Sequence, residues 1–156
     1  MKPANGELPL GDRPGFLVRR LYQIHVALFA EECGRFGVTP VQYSALTALI
    51  RHGPLDQVSL AGEIGIDRAN ATGVLARLEA RRLIRRVANP SDQRAKRCEL
   101  TAKGRRLTRR MERAVGRCHD RTVEALPKRE RRAFVNSLER LVRANNALGR
   151  TKLRLD

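Results

Sequence analysis

The sequence has few aromatic residues and no tryptophan, and it has half as many acidic as basic side chains. Aromatic residues make up 4% of the 156 residues, whereas apolar residues make up 42%. This composition predicts a helical core built from Leu, Ala, Val and Ile rather than a β-sandwich or a barrel. No stretch approaches the roughly 18 consecutive apolar residues of a membrane span. No apolar run follows a basic start either, so we expect no membrane contact and no signal peptide.

The three cysteines, Cys33, Cys98 and Cys118, are odd in number and widely spaced. This spacing favours reduced thiols in a cytoplasmic protein over a disulfide framework. The sequence also lacks Cys-x-x-Cys and His-x-x-x-His spacings, so we expect no metal site and no cofactor. It contains no Gly-x-Ser-x-Gly, no phosphate-binding glycine loop and no His-Glu-x-x-His, which predicts that the protein is not an enzyme.

The charge is strongly basic, with 32 Lys and Arg against 16 Asp and Glu and a formal net charge of +16. Basic surfaces bind nucleic acids because each neutralised phosphate releases condensed counterions. The balance therefore favours a nucleic-acid partner over a merely solvated, arginine-rich surface.

Long amphipathic helices are predicted at both ends of the chain. Residues 1–12 read as a loosely ordered arm, and after Pro14 the apolar residues recur at helical spacing: Leu17, Leu21, Ile24 and Leu28. Thr101 starts a second long helix, and Pro127 precedes a third with an apolar face of Phe134, Leu138, Leu141 and Leu148. One small domain offers few partners for these faces, so we expect a two-fold homodimer.

The central residues predict a helix-turn-helix followed by a hairpin. Thr39 and Gln42 form a capping box around Pro40 for one helix. Ser59 is expected to cap a short helix, and Asp67 caps the next one. Two short strands, 83–88 and 96–100, are then joined by a turn at 89–92. A basic hairpin directly after a helix-turn-helix is typical of a wing.

The stretch from Ser59 to Gly104 resembles the MarR family of transcription regulators. The motifs that carry the resemblance are Asp67-Arg68, Leu78-Glu79, Asp92-Gln93-Arg94 and Leu100-Thr101-Ala102-Lys103-Gly104. Two positions depart from the family pattern: Gly73 replaces a polar or basic residue, and Arg82 replaces a glycine. The resemblance implies one domain over 1–156, mainly α with a small β-wing. It implies a winged helix-turn-helix at about 38–101 and dimerisation helices at about 13–37 and 102–150.

The resemblance also implies which residues contact double-stranded DNA. The helix from Arg68 is expected in the major groove and Arg94 in the minor groove. Within the groove, Arg68 suits guanine, Asn70 suits adenine and Ala69 suits the thymine methyl. Asp92 is expected to brace the wing rather than to contact DNA. The full set of expected contacts is Ser59, Arg68, Ala69, Asn70, Thr72, Arg77, Arg94, Lys96 and Arg97.

Members of this family are commonly released from DNA by a small aromatic acid or phenol. In this sequence, rings recur on the first helix at Tyr22, His25 and Phe29, and Tyr43 follows on the second. Together with Arg19 and Arg20, they suggest a pocket for a planar carboxylate. The alternative is that these rings are ordinary core.

The resemblance therefore implies a DNA-binding repressor that leaves a palindromic operator when an aromatic ligand binds. One alternative is a redox-responsive regulator of the same fold, acting through Cys98 or through Cys118 beside Arg117 and His119. Another alternative is a basic architectural protein that binds nucleic acid without sequence preference.

Overall fold

The computed structural model describes residues 8–154, which form a mainly helical chain with one small antiparallel sheet. Of the expected N-terminal arm, residues 1–7 lie outside the described residues, and Leu10–Asp12 form a 3-10 turn. The helices and strands are α1 (Pro14–Cys33), α2 (Pro40–His52), β1 (Leu55–Asp56), α3 (Gln57–Ile64), α4 (Arg68–Ala80), β2 (Ile84–Asn89), β3 (Asp92–Leu100), α5 (Ala102–Val123) and α6 (Lys128–Asn145).

The N-terminal caps of α2, α4 and α5 confirm the sequence prediction. The Gln42 amide donates to Thr39 Oγ1 at 3.2 Å, and the Thr39 amide donates to Gln42 Oε1 at 3.0 Å, which completes the capping box. Asp67 and Thr101 accept from the backbone amides three residues further on, at 2.8 and 3.0 Å. Each cap satisfies a backbone donor that the first helical turn leaves without a partner.

The prediction that Ser59 caps α3 is wrong, because Asp56 is the cap. Asp56 accepts from the Ser59 amide at 2.9 Å and from the Ser59 hydroxyl at 2.7 Å. These two hydrogen bonds lower the pKa of the Asp56 carboxyl. A carboxylate accepts more strongly than a hydroxyl does, so α3 begins at Gln57, two residues before Ser59.

The sheet has the strand order β1-β3-β2, with both pairs antiparallel. The two-residue strand β1 pairs Leu55 with Cys98, and no sequence pattern predicts it. Strand β3 begins at Asp92 rather than at residue 96, because Asp92 already pairs with Asn89 across the turn. The predicted hairpin is therefore present, with a longer second strand than expected.

The core lies where α2, α3, α4, the sheet and α5 meet. Its largest fully buried side chains include Leu46, Leu49, Leu60, Leu75, Leu78, Leu83, Ile84 and Met111. Gly104 of α5 packs so closely on Leu83, just before β2, that an added Cβ would overlap the Leu83 carbonyl. The carboxylate of Glu32 on α1 accepts from Arg117 at 2.8 Å and from Arg121 at 3.0 Å on α5. Helix α5 thus joins the winged unit (residues 40–100) to α1.

Helix α6 is amphipathic as predicted, but its apolar face is not covered within the chain. The structure describes all residues of Lys128–Asn145, and none of them is buried. The exposed apolar side chains of α6 are Val135, Leu138, Leu141 and Val142. Leu148 lies beyond the helix in a 3-10 turn. Among the described residues, no helix combines the length and apolarity that a membrane span requires.

Candidate DNA interface and effector cavity

Helix α4 separates a buried face from an exposed one. Ala71, Val74, Leu75 and Leu78 are buried against the winged unit. The expected DNA contacts on the other side are all exposed: Arg68, Ala69, Asn70, Thr72 and Arg77. The sequence thus directs one face of the helix into the core and leaves the other free to enter a groove.

Hydrogen bonds fix the polar side chains at the start of α4. The Asn70 amide group donates to Asp67 Oδ2 at 2.9 Å, which orients it in advance. The Thr72 hydroxyl donates to the Arg68 carbonyl at 3.0 Å and accepts from Gln57 Nε2 at 2.7 Å. Sequence reasoning did not identify Gln57, which reaches this face from the first turn of α3. In contrast, Ser59 is half-buried and donates its hydroxyl to Asp56.

Gly73 gives room to the side chain of Arg77. A Cβ added at Gly73 would lie 3.8 Å from Arg77 Nη1 and 3.9 Å from Nη2. The guanidinium of Arg77 therefore extends back over Gly73 along the exposed face. This departure from the family pattern places a positive charge nearer to the middle of α4.

The wing presents some of its basic residues and pairs others with carboxylates. Arg94 and Lys96 are exposed, Arg97 is half-buried, and the Arg94 amide donates to Asp92 Oδ1 at 3.0 Å. Asp92 thus braces the start of β3. Two further arginines are held by ion pairs, Arg85 with Glu99 at 3.1 Å and Arg86 with Glu79 at 3.2 Å.

The six residues expected to form one ligand pocket do not come together within the chain. Phe29 is 4% exposed in the core, where its ring lies 6.3 Å from that of Tyr43. Tyr22 and His25 line a different cavity from Tyr43. The two rings lie two turns apart on α1, and the chain buries this helix at Phe29 but leaves Tyr22 60% exposed.

Neither arginine of the expected pocket lines the cavity of Tyr22 and His25. The Arg19 guanidinium stacks over Phe16, 5.4 Å from the ring centroid. The Arg20 guanidinium donates to Gln23 at 2.7 Å and lines a cavity that shares Leu21 and Phe134 with that of Tyr22.

The cavity of Tyr22 and His25 lies between α1, α5 and α6 and has a volume of about 620 Å³. The imidazoles of His25 and His119 stack with centroids 5.4 Å apart, and His25 Nδ1 lies 2.9 Å from Thr122 Oγ1. Burial, and secondly the nearby His119, lower the pKa of His25. The remaining wall is mostly apolar: Val18, Leu21, Val123, Phe134, Val135 and Leu138, with Asp120.

A second, more polar cavity of about 340 Å³ lies between α2 and α3. Tyr43, Thr47 and Arg51 contribute from α2, and His52 Nε2 lies 3.2 Å from Glu63 Oε2. Burial raises the pKa of the Tyr43 hydroxyl.

The structure does not support the redox alternative. Cys33, Cys98 and Cys118 are all buried, and burial raises the pKa of each thiol. Both effects oppose oxidation, which requires an accessible thiolate. The hydrogen bond with Thr122 and the charge of Arg121 lower the pKa of Cys118, but they do not outweigh its burial and the nearby Glu32. Within residues 8–154, no three His, Cys, Asp or Glu side chains are grouped as metal ligands.

An exposed recognition helix, a basic two-stranded wing and a helix-turn-helix core define a winged helix-turn-helix protein. The MarR family model matches residues 38–96. The HTH-type transcriptional repressor NicR of Pseudomonas putida is 30% identical over 138 residues, 88% of this chain and 87% of NicR. The chain belongs to the MarR family of transcription regulators.

Solved structures of similar proteins share this fold. Bordetella bronchiseptica BpsR is 32% identical with a TM-score of 0.82, over 87% of this chain and 97% of BpsR. The BpsR structure concerns the mechanism by which 6-hydroxynicotinic acid regulates the DNA binding of BpsR. The repressor CouR of Rhodococcus jostii RHA1, solved on a 23-mer DNA duplex, is 30% identical with a TM-score of 0.80, over 88% of this chain and 99% of CouR.

Proposed function

We propose that the protein is a homodimeric repressor that binds a palindromic operator and leaves it when a small aromatic acid or phenol binds. The observation that carries the DNA-binding part is the exposed start of α4, where Arg68, Ala69 and Asn70 stand clear of the core. Arg68 and Asn70 are the side chains that read guanine and adenine in a major groove. The likeness to CouR on a DNA duplex supports this assignment.

The wing and the middle of α4 supply the remaining contacts. Arg94 enters the adjacent minor groove, where negative potential is concentrated. Arg77, Lys96 and Arg97 bind backbone phosphates. Thr72 positions the start of α4 through its bond to Gln57, and Ser59 supports the same region through Asp56. Half to two-thirds of the hydrogen bonds to DNA go to the backbone, so most of these contacts fix the register rather than the sequence.

The homodimer follows from the uncovered apolar faces of α1 and α6. Leu17, Val18 and Ile24 of α1 are exposed together with the apolar face of α6. A second copy would cover both faces by two-fold symmetry and would border the cavity that Val18, Val135 and Leu138 line. To enter successive major grooves, the two α4 helices of such a dimer must lie about 34 Å apart.

The cavity between α1, α5 and α6 is the better effector site. Tyr22 and His25 offer one aromatic ring and one imidazole beside an apolar wall that suits a planar ligand. Arg20 in the adjoining cavity, or Arg19 one residue earlier, would bind the carboxylate. Phe29 and Tyr43 shape the neighbouring core. Because the cavity touches α5 and α6, an occupant favours one separation of the two α4 helices by its differential affinity.

The experiment measures binding to the DNA upstream of the protein's own gene and to random duplex of equal length, at about 50 and 150 mM salt. We expect tight binding to one palindromic site at both salt concentrations, at least about 10³-fold tighter than to random duplex. Arg68→Ala should lower the affinity for the site by about 1–3 kcal/mol and relax its specificity. Equal, salt-labile binding to both duplexes would instead establish a basic architectural protein.

The effector assignment is tested by release from that site with 6-hydroxynicotinic acid and a panel of hydroxylated benzoic acids. We expect His25→Ala and Tyr22→Ala to abolish release while leaving DNA affinity unchanged. Tyr43→Ala is the matched control, since it removes a ring from the cavity between α2 and α3. Loss of release in Tyr43→Ala alone would move the site to that second cavity.

A further inference from the structure

The segment after α6 returns to the winged unit and is fixed there by hydrogen bonds. Asn146 brackets the Leu153 backbone: its Nδ2 donates to the Leu153 carbonyl at 2.8 Å, and its Oδ1 accepts from the Leu153 amide at 2.9 Å. The Arg154 amide donates to the Gly62 carbonyl of α3 at 3.0 Å. Residues 149–154 are thus held against the helix-turn-helix by their backbone.

Two glycines of the helix-turn-helix provide the space for this segment. A Cβ at Gly62 would lie 3.5 Å from both Cγ and Nε of Arg154. The side chain of Arg154 therefore lies directly over Gly62. A Cβ at Gly65 would lie 3.3 Å from Leu153 Cδ1. Gly65 is also the left-handed residue that ends α3, with φ of 70°. The Gly-Glu-Ile-Gly run therefore serves both the turn and the docking of the segment.

The docked segment brings three basic side chains to the start of the recognition helix. Arg150, Lys152 and Arg154 line one cavity together with Asp67 and Arg68. All three basic side chains are exposed. The carboxylate of Asp67 already accepts from the Asn70 amide and side chain, at 2.8 and 2.9 Å. Arg68 adds a fourth positive charge to the same surface.

We propose that residues 149–154 are a third DNA-contacting element, which binds backbone phosphates beside the bases that α4 reads. The proposal rests on the proposed DNA-binding function. Base contacts at the start of a recognition helix place the flanking phosphates within a few ångströms, where the first helix of the motif crosses the backbone. The backbone of the segment is already held at Gly62 and Asn146. Its basic side chains therefore bind phosphates there with little further loss of conformational entropy.

The test compares salt dependence in a triple variant, Arg150→Gln/Lys152→Gln/Arg154→Gln, with a control of equal charge, Lys128→Gln/Arg129→Gln/Arg132→Gln. The control residues lie in the first turns of α6, at the far end of that helix from the segment. Each lost phosphate contact lowers the slope of log K against log salt by about 0.9. We expect the segment variant to lose about 2–3 in slope on both the operator and random duplex, with an unchanged specificity ratio.

Asn146→Ala separates docking from charge, because it keeps every basic side chain and removes both bonds to Leu153. We expect it to lose about 1 in slope. The proposal is overturned if the segment variant keeps the wild-type slope, if the control loses as much as the segment variant, or if Asn146→Ala has no effect. If the wild type shows no operator preference, the proposed repressor is refuted instead. The slopes on random duplex test the segment independently of that outcome.

Discussion

The winged unit and helix α6 differ in how their helix starts are capped and in how far their apolar side chains are buried. In the winged unit, caps at Thr39, Asp56 and Asp67 serve the helix starts, and the leucines of α2, α3 and α4 are buried. Helix α6 begins after Pro127 with no side-chain cap hydrogen bond, and none of its residues, all of which the structure describes, is buried. The winged unit therefore buries its apolar side chains within one chain, whereas the described residues leave the apolar face of α6 uncovered.

Local interactions contribute little to α6. Its ion pair between Arg143 and Glu139 at 3.0 Å joins residues four apart, and such pairs stabilise a helix by about 0.2–0.5 kcal/mol. In proteins, most of the stability of a helix comes from the packing of its amphipathic face rather than from local propensity. The difference between the two regions is what the proposed homodimer explains, because a second copy would bury the apolar face of α6.

The largest effect is expected where α5 packs on the winged unit, at Gly104. Gly104→Ala would drive a methyl group into the Leu83 carbonyl, and we expect a loss of about 3 kcal/mol in the free energy of unfolding. Urea denaturation measures this loss. Gly116→Ala on the same helix is the control, because an added Cβ there meets no described atom within 4 Å. Gly116→Ala should stabilise α5 by up to about 1 kcal/mol. Equal effects of the two variants would show that α5 does not pack tightly on Leu83 at Gly104.

On the α6 side of the comparison, Leu138→Asp should dissociate the dimer without unfolding the winged unit. A carboxylate buried in an apolar interface lacks a partner, so we expect dimer affinity to fall at least about 100-fold. Sedimentation measures the affinity and circular dichroism the fold. Asn136→Asp adds the same charge on the opposite side of the helix and should leave the dimer intact. A Leu138→Asp protein that stays dimeric would show that α6 has another role.

A smaller effect is expected at the contact of α1 with α5, where His25 has a lowered pKa. The unfolded chain then binds a proton that the folded chain resists, so stability is lost as the pH falls below about 6.5 towards the lowered pKa. We expect His25→Gln to reduce the slope of the unfolding free energy with pH between pH 7 and 5.5. Glu32 and Asp56 have lowered pKa values too and act at lower pH. An unchanged slope in His25→Gln would refute this assignment.

The smallest effect is expected inside the winged unit, at Arg82. This residue has a φ of 56° between α4 and β2, a conformation that costs a side chain about 1–2 kcal/mol. Arg82→Gly should raise the melting temperature by a few degrees, after allowance for the greater flexibility of glycine in the unfolded chain. Arg82→Ala keeps the Cβ and should not. If Arg82→Ala is equally stabilising, charge repulsion rather than backbone strain is the cause.

Much of the fold was predictable because its signals are local. Capping boxes, glycine stops and helical periodicity located α1, α2, α4 and α5 within a few residues, and the wing followed from its turn. Strand β1 was not predictable, because two residues carry no periodicity and pair only through the distant Cys98. The cap of α3 was assigned to Ser59 because the competing carboxylate of Asp56 lies just outside the apolar pattern.

The candidate site was predictable where it lies on one helix and not where it spans several. The exposed face of α4 follows from its own sequence. The separation of Tyr22 and Tyr43 into two cavities depends on how α1 crosses α2 and α5, which helical spacing does not determine. The docking of residues 149–154 on Gly62 joins residues about 90 positions apart, and no local sequence pattern indicates such a contact.

The most direct test of this account is sedimentation equilibrium of the protein alone and with one palindromic duplex. One chain has a mass of 17.6 kDa. We expect a homodimer of about 35 kDa in the absence of DNA, and two chains bound to each duplex. A stable monomer that binds DNA one chain at a time would contradict it, because the apolar face of α6 would then have no second copy to cover it.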